Sequence, residues 1–286
     1  MPGTVRWDWR KSLWFGGFHL GALALAAPFF TWGAFAVFVV LTSVTLCAGH
    51  SVGVHRLLIH RAWAAPRWLE NTLAYLGTLV GLGGPRGLIA LHDLRDFQQN
   101  QPRCHDYFAH RRALPVDYFW NLHCTIHGVA GPPPRVHPSR FLDFLERTWR
   151  LQQLPVALAL YLAGGLPFVV WGVIVRVAVG TFGHWFVGHF THRRGELRWQ
   201  NEGSAVQGFN CVLFGAISFG EGWHNNHHTF PRSARLGIAR HELDLGFMLI
   251  RLFAALGLAS EILIPCDHTM TIAAKKWTRR YSPVPS

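Results

Sequence analysis

Hydrophobic positions in this chain are gathered into three long runs. Residues 13–30 contain no acidic or basic side chain apart from His19, and residues 32–54 contain none apart from His50. Each run approaches the roughly 20 apolar residues that a helix needs to cross a bilayer core. Because only residues 28–32 interrupt them, we predict a tight helical hairpin rather than a cleaved signal peptide.

The third run, residues 151–190, carries Arg176 as its one formal charge. As a single helix it would be about 60 Å long, twice the thickness of a bilayer core. We therefore predict that it folds back at residues 163–167, whose sequence AGGLP is typical of a turn. The pattern predicts four transmembrane helices, at about residues 13–30, 32–54, 150–164 and 167–190.

The composition agrees with a membrane protein. Half of the 286 residues are hydrophobic, 15% are charged and the formal net charge is +12. These values exclude a disordered or fibrous chain, and they fit a bilayer protein with basic loops better than two soluble domains. The five cysteines form no CxxC pair, so we expect a reducing compartment and neither a disulfide framework nor a zinc knuckle.

The basic residues are sorted along the chain. Of the 27 Lys and Arg, three precede the first run, twelve lie in residues 55–150, eleven follow residue 190, and the two hairpin turns carry none. The positive-inside rule then places both termini, residues 55–149 and residues 191–286 in the cytoplasm. Nucleic-acid binding would favour one compact basic face, so no nucleic-acid partner is expected. We predict an all-α integral membrane protein, a single domain over residues 1–286, with a cytosolic helical cap.

Histidine is unusually frequent, because the 18 His outnumber the 15 acidic residues. The first cluster, His55 and His60, follows the second hydrophobic run. Five residues along a regular helix place two side chains about 140° apart. This pair would therefore meet one metal ion only where the helix ends or loosens, and alone it is a weak signal.

A second cluster, in the sequence GEGWHNNHHTFP, carries His224, His227 and His228. Positions i, i+3 and i+4 share one helix face. Neighbouring helical residues point about 100° apart, so His227 and His228 could reach two different metal ions. The sequence therefore predicts a paired metal site, although imidazole suits iron, copper, nickel and zinc alike.

A third cluster closes the last hydrophobic run. The sequence GHWFVGHFTHRR contains His184, His189 and His192. We expect His192, at the membrane interface, to be a metal ligand. His184 lies two turns deeper, where a buried hydrogen bond is the simpler explanation.

These motifs resemble the membrane fatty-acyl desaturases of the stearoyl-CoA type. HRLLIHR after the second run, GEGWHNNHHTFP and the four-span layout match that family from about residue 45 to residue 262. The resemblance implies two non-haem iron ions that use molecular oxygen and two electrons to remove hydrogens from an acyl chain in a bent apolar tunnel. The ligands that it implies are His55, His60, His192, His224, His227 and His228.

The middle histidine box departs from the family pattern HxxHH. Here the sequence is His92-Asp93-Leu94-Arg95-Asp96, so His92 is the expected ligand and Asp96 a credible substitute ligand. Arg95 has no lone pair to donate to a metal ion. Arg95 with either aspartate could instead form a salt bridge that orients the ligands. Gly188 stands where the family has an asparagine that holds a metal-bound water.

Other residues leave alternatives open. A nearby histidine could compensate for these losses, and the candidates are His105, His110, His123, His127, His184 and His189. Glu221 could accept a hydrogen bond from a ligand imidazole, or it could be an acidic residue in the first turn of a helix. Asn225 and Asn226 are expected to be caps or surface residues. The apolar stretch 243–263 is expected to be a surface or cap helix rather than a fifth span.

The expected function is oxygen-dependent fatty-acyl desaturation. A fatty-acyl or lipid hydroxylase on the same scaffold and a catalytically impaired homologue are the alternatives. A metal transporter or sensor without redox turnover would need more polar residues inside its spans. The sequence contains no nicotinamide-binding glycine motif and no HPGG haem signature. The resemblance therefore implies an external ferredoxin or cytochrome, with its reductase, beside a fatty-acyl thioester or acyl-lipid substrate and membrane lipid.

Overall fold

The computed structural model describes residues 3–135 and 137–266, and this part of the chain is mostly helical. The α-helices are Trp9–Lys11, Gly17–Leu25, Trp32–Ser43, Arg67–Thr78, Pro85–Gln99, Asp106–Ala109, Leu114–His123, Arg140–Thr148, Gln153–Val169, Arg176–Thr191, Val212–Ile217, His224–Thr229 and Leu245–Ala255. The π-helical stretches are Ser12–Gly16, Val44–Ile59 and Val170–Val175. The last residues of the predicted cytosolic segment, 267–286, lie outside the described part.

Two short strands tie the start of the chain to the region after the second hydrophobic run. Thr4–Trp7 pairs antiparallel with Cys124–His127, with Val5 opposite Ile126. The pair is supported by Lys11, whose ammonium donates to the carbonyl of Cys124 at 2.6 Å. The N-terminal segment is therefore docked on the helical cap.

The first hydrophobic hairpin forms as predicted, with a shorter first arm. Its helix ends at Leu25 and residues 26–29 form the turn, because the chain must reverse within a few residues around Pro28. Thr31 starts the second arm, since its hydroxyl accepts from the backbone N–H of Ala34 at 3.1 Å. The helical first arm thus begins at Trp9 and ends at Leu25, whereas the expected range is about 13–30.

Two helices are long and apolar enough to cross a bilayer. They are Trp32–Ile59, with 28 residues and a mean hydropathy of 1.9, and Gln153–Thr191, with 39 residues and a mean hydropathy of 2.1. A helix rises about 1.5 Å per residue, so each exceeds the thickness of a bilayer core of about 30 Å. The helical character and two of the apolar helices expected from the sequence are thus confirmed.

The longer of these helices folds back on itself. Gly164 and Gly165 leave the helical backbone conformation, and Gly165 has a φ of 69°, which favours glycine. Arg176 Nη2 donates to Gln153 Oε1 at 2.6 Å, across 23 positions that a straight helix would spread over about 35 Å. The turn predicted at residues 163–167 is therefore confirmed.

Close packing holds the π-helical stretch Val44–Ile59 against the helix Arg67–Thr78. A Cβ atom added at Gly49 would lie within 2.4 Å of the backbone of Gly77. Any larger side chain there would separate the two helices. Glycine is therefore required where the backbones touch, one turn before the histidines of this segment.

The C-terminal apolar stretch forms the helix Leu245–Ala255, which packs on the cap through Ile250. Asp244 begins this helix by accepting from the backbone N–H of Phe247 at 2.9 Å. The same carboxylate receives Arg56 Nη2 at 2.9 Å. Arg56 is 1% exposed and also donates to the carbonyl of Ala234 at 2.8 Å. A buried ion pair therefore joins the C-terminal segment to the end of the π-helical stretch.

Replacing Arg56 by Met should destabilise the protein by about 3–5 kcal/mol, because it leaves the Asp244 carboxylate buried without its cation. The exposed Arg232 offers a matched control, and Arg232→Met should change stability by less than about 0.5 kcal/mol. Denaturation of the purified proteins in detergent measures both. Equal stability of the two variants would contradict this account of Arg56.

Candidate metal centre

Seven histidines converge in two groups. In each group the ring nitrogen atoms lie within 4.8 Å of one another. The first group is His55, His60, His92 and His227, and the second group is His192, His224 and His228. All seven histidines that the sequence proposed as ligands are therefore brought together, and they come from four separate segments.

The first group depends on the π-helical stretch Val44–Ile59. The backbone N–H of His60 donates to the carbonyl of His55 at 3.0 Å, an i→i+5 bond in place of the usual helical bond. This wider turn brings residues five apart onto one face. The ring centres of His55 and His60 consequently lie 4.7 Å apart. A regular helix would point the side chains of His55 and His60 apart. In the π-helical stretch they lie close enough together to bind one metal ion.

Two further helices complete the first group. The helix Pro85–Gln99 supplies His92, whose ring centre lies 5.0 Å from that of His55 and 4.9 Å from that of His60. The short helix His224–Thr229 supplies His227, at 4.6 Å from His55 and 4.7 Å from His60. Four imidazoles thus surround one small volume.

The second group forms where the long hairpin ends. His192 follows the helix Arg176–Thr191, and its Nδ1 lies 3.2 Å from the carbonyl oxygen of Gln207. A proton on that Nδ1 would donate to this carbonyl and leave the Nε2 lone pair of His192 facing the group. His224 Nε2 lies 3.1 Å from His192 Nε2 and 3.2 Å from His228 Nε2. Nitrogen atoms this close share either protons or a metal ion.

His227 and His228 are neighbours in the chain but face different groups. Their ring planes differ by 84° and their centres lie 5.8 Å apart. This divergence follows from the helical turn of about 100° per residue. The short helix His224–Thr229 therefore contributes to both groups at once, and the two groups are adjacent.

A buried carboxylate holds the first group in place. Glu221 Oε2 lies 2.7 Å from His55 Nδ1, and Ser51 Oγ donates to Glu221 Oε1 at 2.5 Å. Burial acts to raise the pKa of Glu221, but the charge and hydrogen bond of His55, together with Arg56, lower it well below its usual range. Glu221 precedes the helix His224–Thr229 rather than lying in its first turn, so it contacts a histidine as a charged partner.

Asp96 lies beside His92 rather than among the converging nitrogen atoms. Its Oδ2 is 3.3 Å from His92 Nδ1, and it belongs to neither group. Asp93 pairs with Arg135, whose Nη1 also donates to the carbonyl of Ile59 at 2.6 Å. Asp93 is therefore not the partner of Arg95. Within the described residues Arg95 makes no hydrogen bond, and it lines a cavity next to the histidines.

Asn225 and Asn226 are buried, and the caps of their helix are Trp223 and Phe230, so the expectation that they are caps or surface residues is wrong. Asn225 is 0% exposed, and its side-chain amide donates to the carbonyls of Trp199 at 2.7 Å and Gly208 at 2.9 Å. Asn226 donates to the carboxylate of Glu242 at 2.8 Å. These side chains satisfy backbone groups of irregular loops. They fix the short helix that carries three of the histidines, a role that no spacing pattern in the sequence revealed.

The remaining candidate histidines lie outside both groups. The ring of His105 accepts from the backbone N–H of Tyr107 at 3.2 Å, while His123 and His127 contact hydroxyl groups. The ring of His184 lies 4.7 Å from that of His50 in the wall of a cavity. His110 and His189 form a separate buried cluster with Asp117, with His189 Nδ1 2.8 Å from Asp117 Oδ2.

An apolar cavity of about 370 Å³ leads to the two groups. It lies between the two hydrophobic hairpins, and its apolar wall includes Phe38, Val39, Leu46, Val179 and Val187. Its inner end is lined by His55, His92 and His224 from the two groups and by His50, His184, Arg95 and Gly188. The cavity therefore suits an uncharged, flexible chain whose reacting atoms would meet the histidines.

Burial keeps His60, His224, His227 and His228 neutral, which is the form that binds a metal ion. It lowers the pKa of His60, His224 and His227 well below the usual range and that of His228 to about 4. In the unfolded chain a histidine takes up a proton near pH 6.5. The contribution of His228 to folding is therefore complete above about pH 6.5 and is lost as the pH falls towards about 4.

The metal-free protein should thus lose stability between about pH 7 and pH 5. His228 alone accounts for roughly 2 kcal/mol over this interval, because only about 1.5 pKa units separate pH 5 from the unfolded pKa of about 6.5, at about 1.4 kcal/mol per unit. Chemical denaturation of chelator-treated protein at both pH values measures the loss, and His228→Gln should reduce it. If the free energy of unfolding does not depend on pH, or if His228→Gln loses as much of it as wild type, the rings are not buried in their neutral form.

Comparison with known proteins agrees with the geometry of the site. No family model matches the chain. The sn-1 stearoyl-lipid 9-desaturase of Synechocystis sp. is 33% identical over 92% of this chain and 82% of its own length. The sn-2 palmitoyl-lipid 9-desaturase of Nostoc sp. is 33% identical over 89% of this chain and 90% of its own length. An acyl-CoA 5-desaturase of Anemone leveillei is 32% identical over 88% of this chain and 78% of its own length. The chain therefore belongs to the delta-9-like family of acyl-lipid and acyl-CoA desaturases.

Proposed function

We propose that this protein is an oxygen-dependent acyl desaturase that introduces a double bond into a lipid acyl chain at a site for two iron ions. The observation that carries the proposal is the apolar cavity whose inner end is formed by histidines of both groups. Desaturase activity is supported by the relatives. The two histidine groups support a metal site, whereas iron and the need for oxygen are what the resemblance of the histidine motifs implies.

The residues fit two ions of an imidazole-binding metal. Seven buried or half-buried imidazoles converge, and buried nitrogen atoms such as His60 Nε2 and His227 Nδ1 have no hydrogen-bond partner. Buried polar atoms without a partner are costly unless a ligand uses them. The first group would hold one iron and the second group the other. Asp96 contacts His92, which supports a role for Asp96 in orienting this ring. Direct binding of a metal ion by Asp96 stays a prediction.

When bound, the two iron ions would use oxygen and two electrons to generate an oxidant for an unactivated C–H bond. The protein's own residues prepare the site for this chemistry. Glu221 holds the ring of His55 through Nδ1, which fixes the tautomer and leaves Nε2 free. The apolar wall of the cavity excludes water from the reacting carbons. Such a site positions the chain rather than moving protons, so no catalytic residue beyond the histidine ligands is assigned.

We further propose that the chain crosses the membrane four times as a single domain. The two hydrophobic hairpins would lie in the bilayer, and residues 55–149 and 191–286 would form a cytosolic cap that carries the metal site. The absence of Lys and Arg from both hairpin turns supports this orientation. The exposed apolar surface of the hairpins, including Leu23, Trp32 and Leu162, supports contact with lipid.

The proposed substrate is a fatty-acyl thioester or an acyl lipid. The relatives named as 9-desaturases act on stearoyl-lipid or palmitoyl-lipid, and another relative is named as an acyl-CoA enzyme. The electrons would come from an external ferredoxin or cytochrome with its reductase. The basic face expected of the cytosolic segments would attract an acidic carrier.

A fatty-acyl or lipid hydroxylase is the second candidate, because Arg95 brings a guanidinium to the inner end of the cavity. A charged group at this position is unusual for a site that only binds hydrocarbon. A catalytically impaired homologue would bind fewer than two iron ions.

Expression in a host that lacks its own desaturases should yield unsaturated fatty acids two mass units lighter than their precursors. His227→Ala should abolish the product, because His227 belongs to the first group, while the exposed His241→Ala should not. Mass spectrometry of total fatty acids measures both. A gain of one oxygen atom would instead establish the hydroxylase, and no product with an intact electron-transfer system would contradict both activities.

A further inference from the structure

One buried histidine outside the two groups has a ring nitrogen without a partner. His110 is 3% exposed and follows the helix Asp106–Ala109 in a left-handed conformation, with a φ of 51°. Its Nδ1 lies 2.9 Å from Asp117 Oδ2. Its Nε2 has no hydrogen-bond partner among the described residues. A buried nitrogen of this kind is expected to face a ligand or a water molecule.

Asp117 fixes the orientation of this ring. The same Oδ2 atom also receives the indole N–H of Trp185 and the Nδ1 of His189, both at 2.8 Å. Burial acts to raise the pKa of Asp117, but the hydrogen bonds from His110, His189 and Trp185 lower it. The carboxylate of Asp117 is therefore ionised, and it contacts the Nδ1 side of the His110 ring. With three donors on one oxygen atom, this cluster orients imidazoles rather than forming a third metal site.

The unpartnered nitrogen of His110 lies beside the second group. The rings of His110 and His192 are stacked, with centres 5.4 Å apart and planes within 9°. A Cβ atom added at Gly188 would meet a single neighbour, His110 Nε2, at 3.9 Å. His110 Nε2 thus borders the space that a side chain at position 188 would enter.

His189 makes a useful contrast. It shares Asp117 with His110, but its Nε2 lies 3.3 Å from Arg193 Nη1, which donates to it. Both ring nitrogen atoms of His189 are therefore in use. Among the described residues of this cluster, only His110 has a ring nitrogen without a partner beside the second group.

We propose that His110 is a positioning residue of the second metal site, where its Nε2 supplies the polar contact that Gly188 cannot provide. Its nitrogen stands outside the set of atoms within 4.8 Å of one another. It therefore acts through one intervening water rather than as a direct ligand. This inference rests on the proposed two-iron function.

Iron content tests the inference on purified protein in detergent, without any activity assay. Wild type and His127→Ala, a control whose ring is exposed, should retain two iron ions per chain after a chelator challenge. His110→Ala should lose close to one of them. His110→Phe keeps a flat ring against His192 but no nitrogen, and it should show the same loss if the alanine variant folds poorly.

A double variant separates a metal-site role from a structural one. In His110→Ala the space beside position 188 opens, so adding Gly188→Asn should restore iron retention towards two ions per chain. Loss in His110→Ala with recovery in the double variant supports the inference. Two retained iron ions in both His110 variants, or no recovery in the double variant, would overturn it. Fewer than two iron ions in wild type would instead overturn the proposed function.

Discussion

The hydrogen bond from the backbone N–H of His60 to the carbonyl of His55 determines the geometry of the candidate metal centre. It makes the end of the long hydrophobic helix π-helical, and so it aligns two imidazoles that a regular helix would separate. The other parts of the site are arranged around this pair. His92 and His227 approach it from two further helices, and the second group forms next to His227 along the same short helix.

Seven imidazoles can be buried together only if other groups form hydrogen bonds with the ring nitrogen atoms that face away from the site and hold the backbone that carries the rings. Glu221 holds His55, Asp96 contacts His92 and the carbonyl of Gln207 faces His192. The ion pair of Arg56 with Asp244 lies one residue from His55 and joins the C-terminal helix to the same helix end. The apolar cavity ends at these histidines, so the elements that stabilise the fold also place the proposed oxidation chemistry beside a lipid chain.

Much of the fold and of the site could be predicted from the sequence, because hydrophobic runs and histidine spacings are local patterns. The fold-back at residues 163–167 and the division of His227 and His228 follow from helix geometry. The π-helical turn could not be predicted from helix geometry, because its wider hydrogen bonds depend on packing against Gly77 and on the cap. The roles of Arg56, Asp117, Asn225 and Asn226 were missed because their partners lie far away in the chain. The left-handed conformation of His110 has no signal in the sequence, although His110 is among the histidines that could compensate for the altered middle box.

Diffraction from crystals of the iron-loaded protein, measured on both sides of the iron absorption edge, tests the central claim most directly. The account predicts two anomalous peaks per chain, one enclosed by His55, His60, His92 and His227 and the other by His192, His224 and His228. A single peak, or a peak whose neighbours are drawn from neither group, would contradict it.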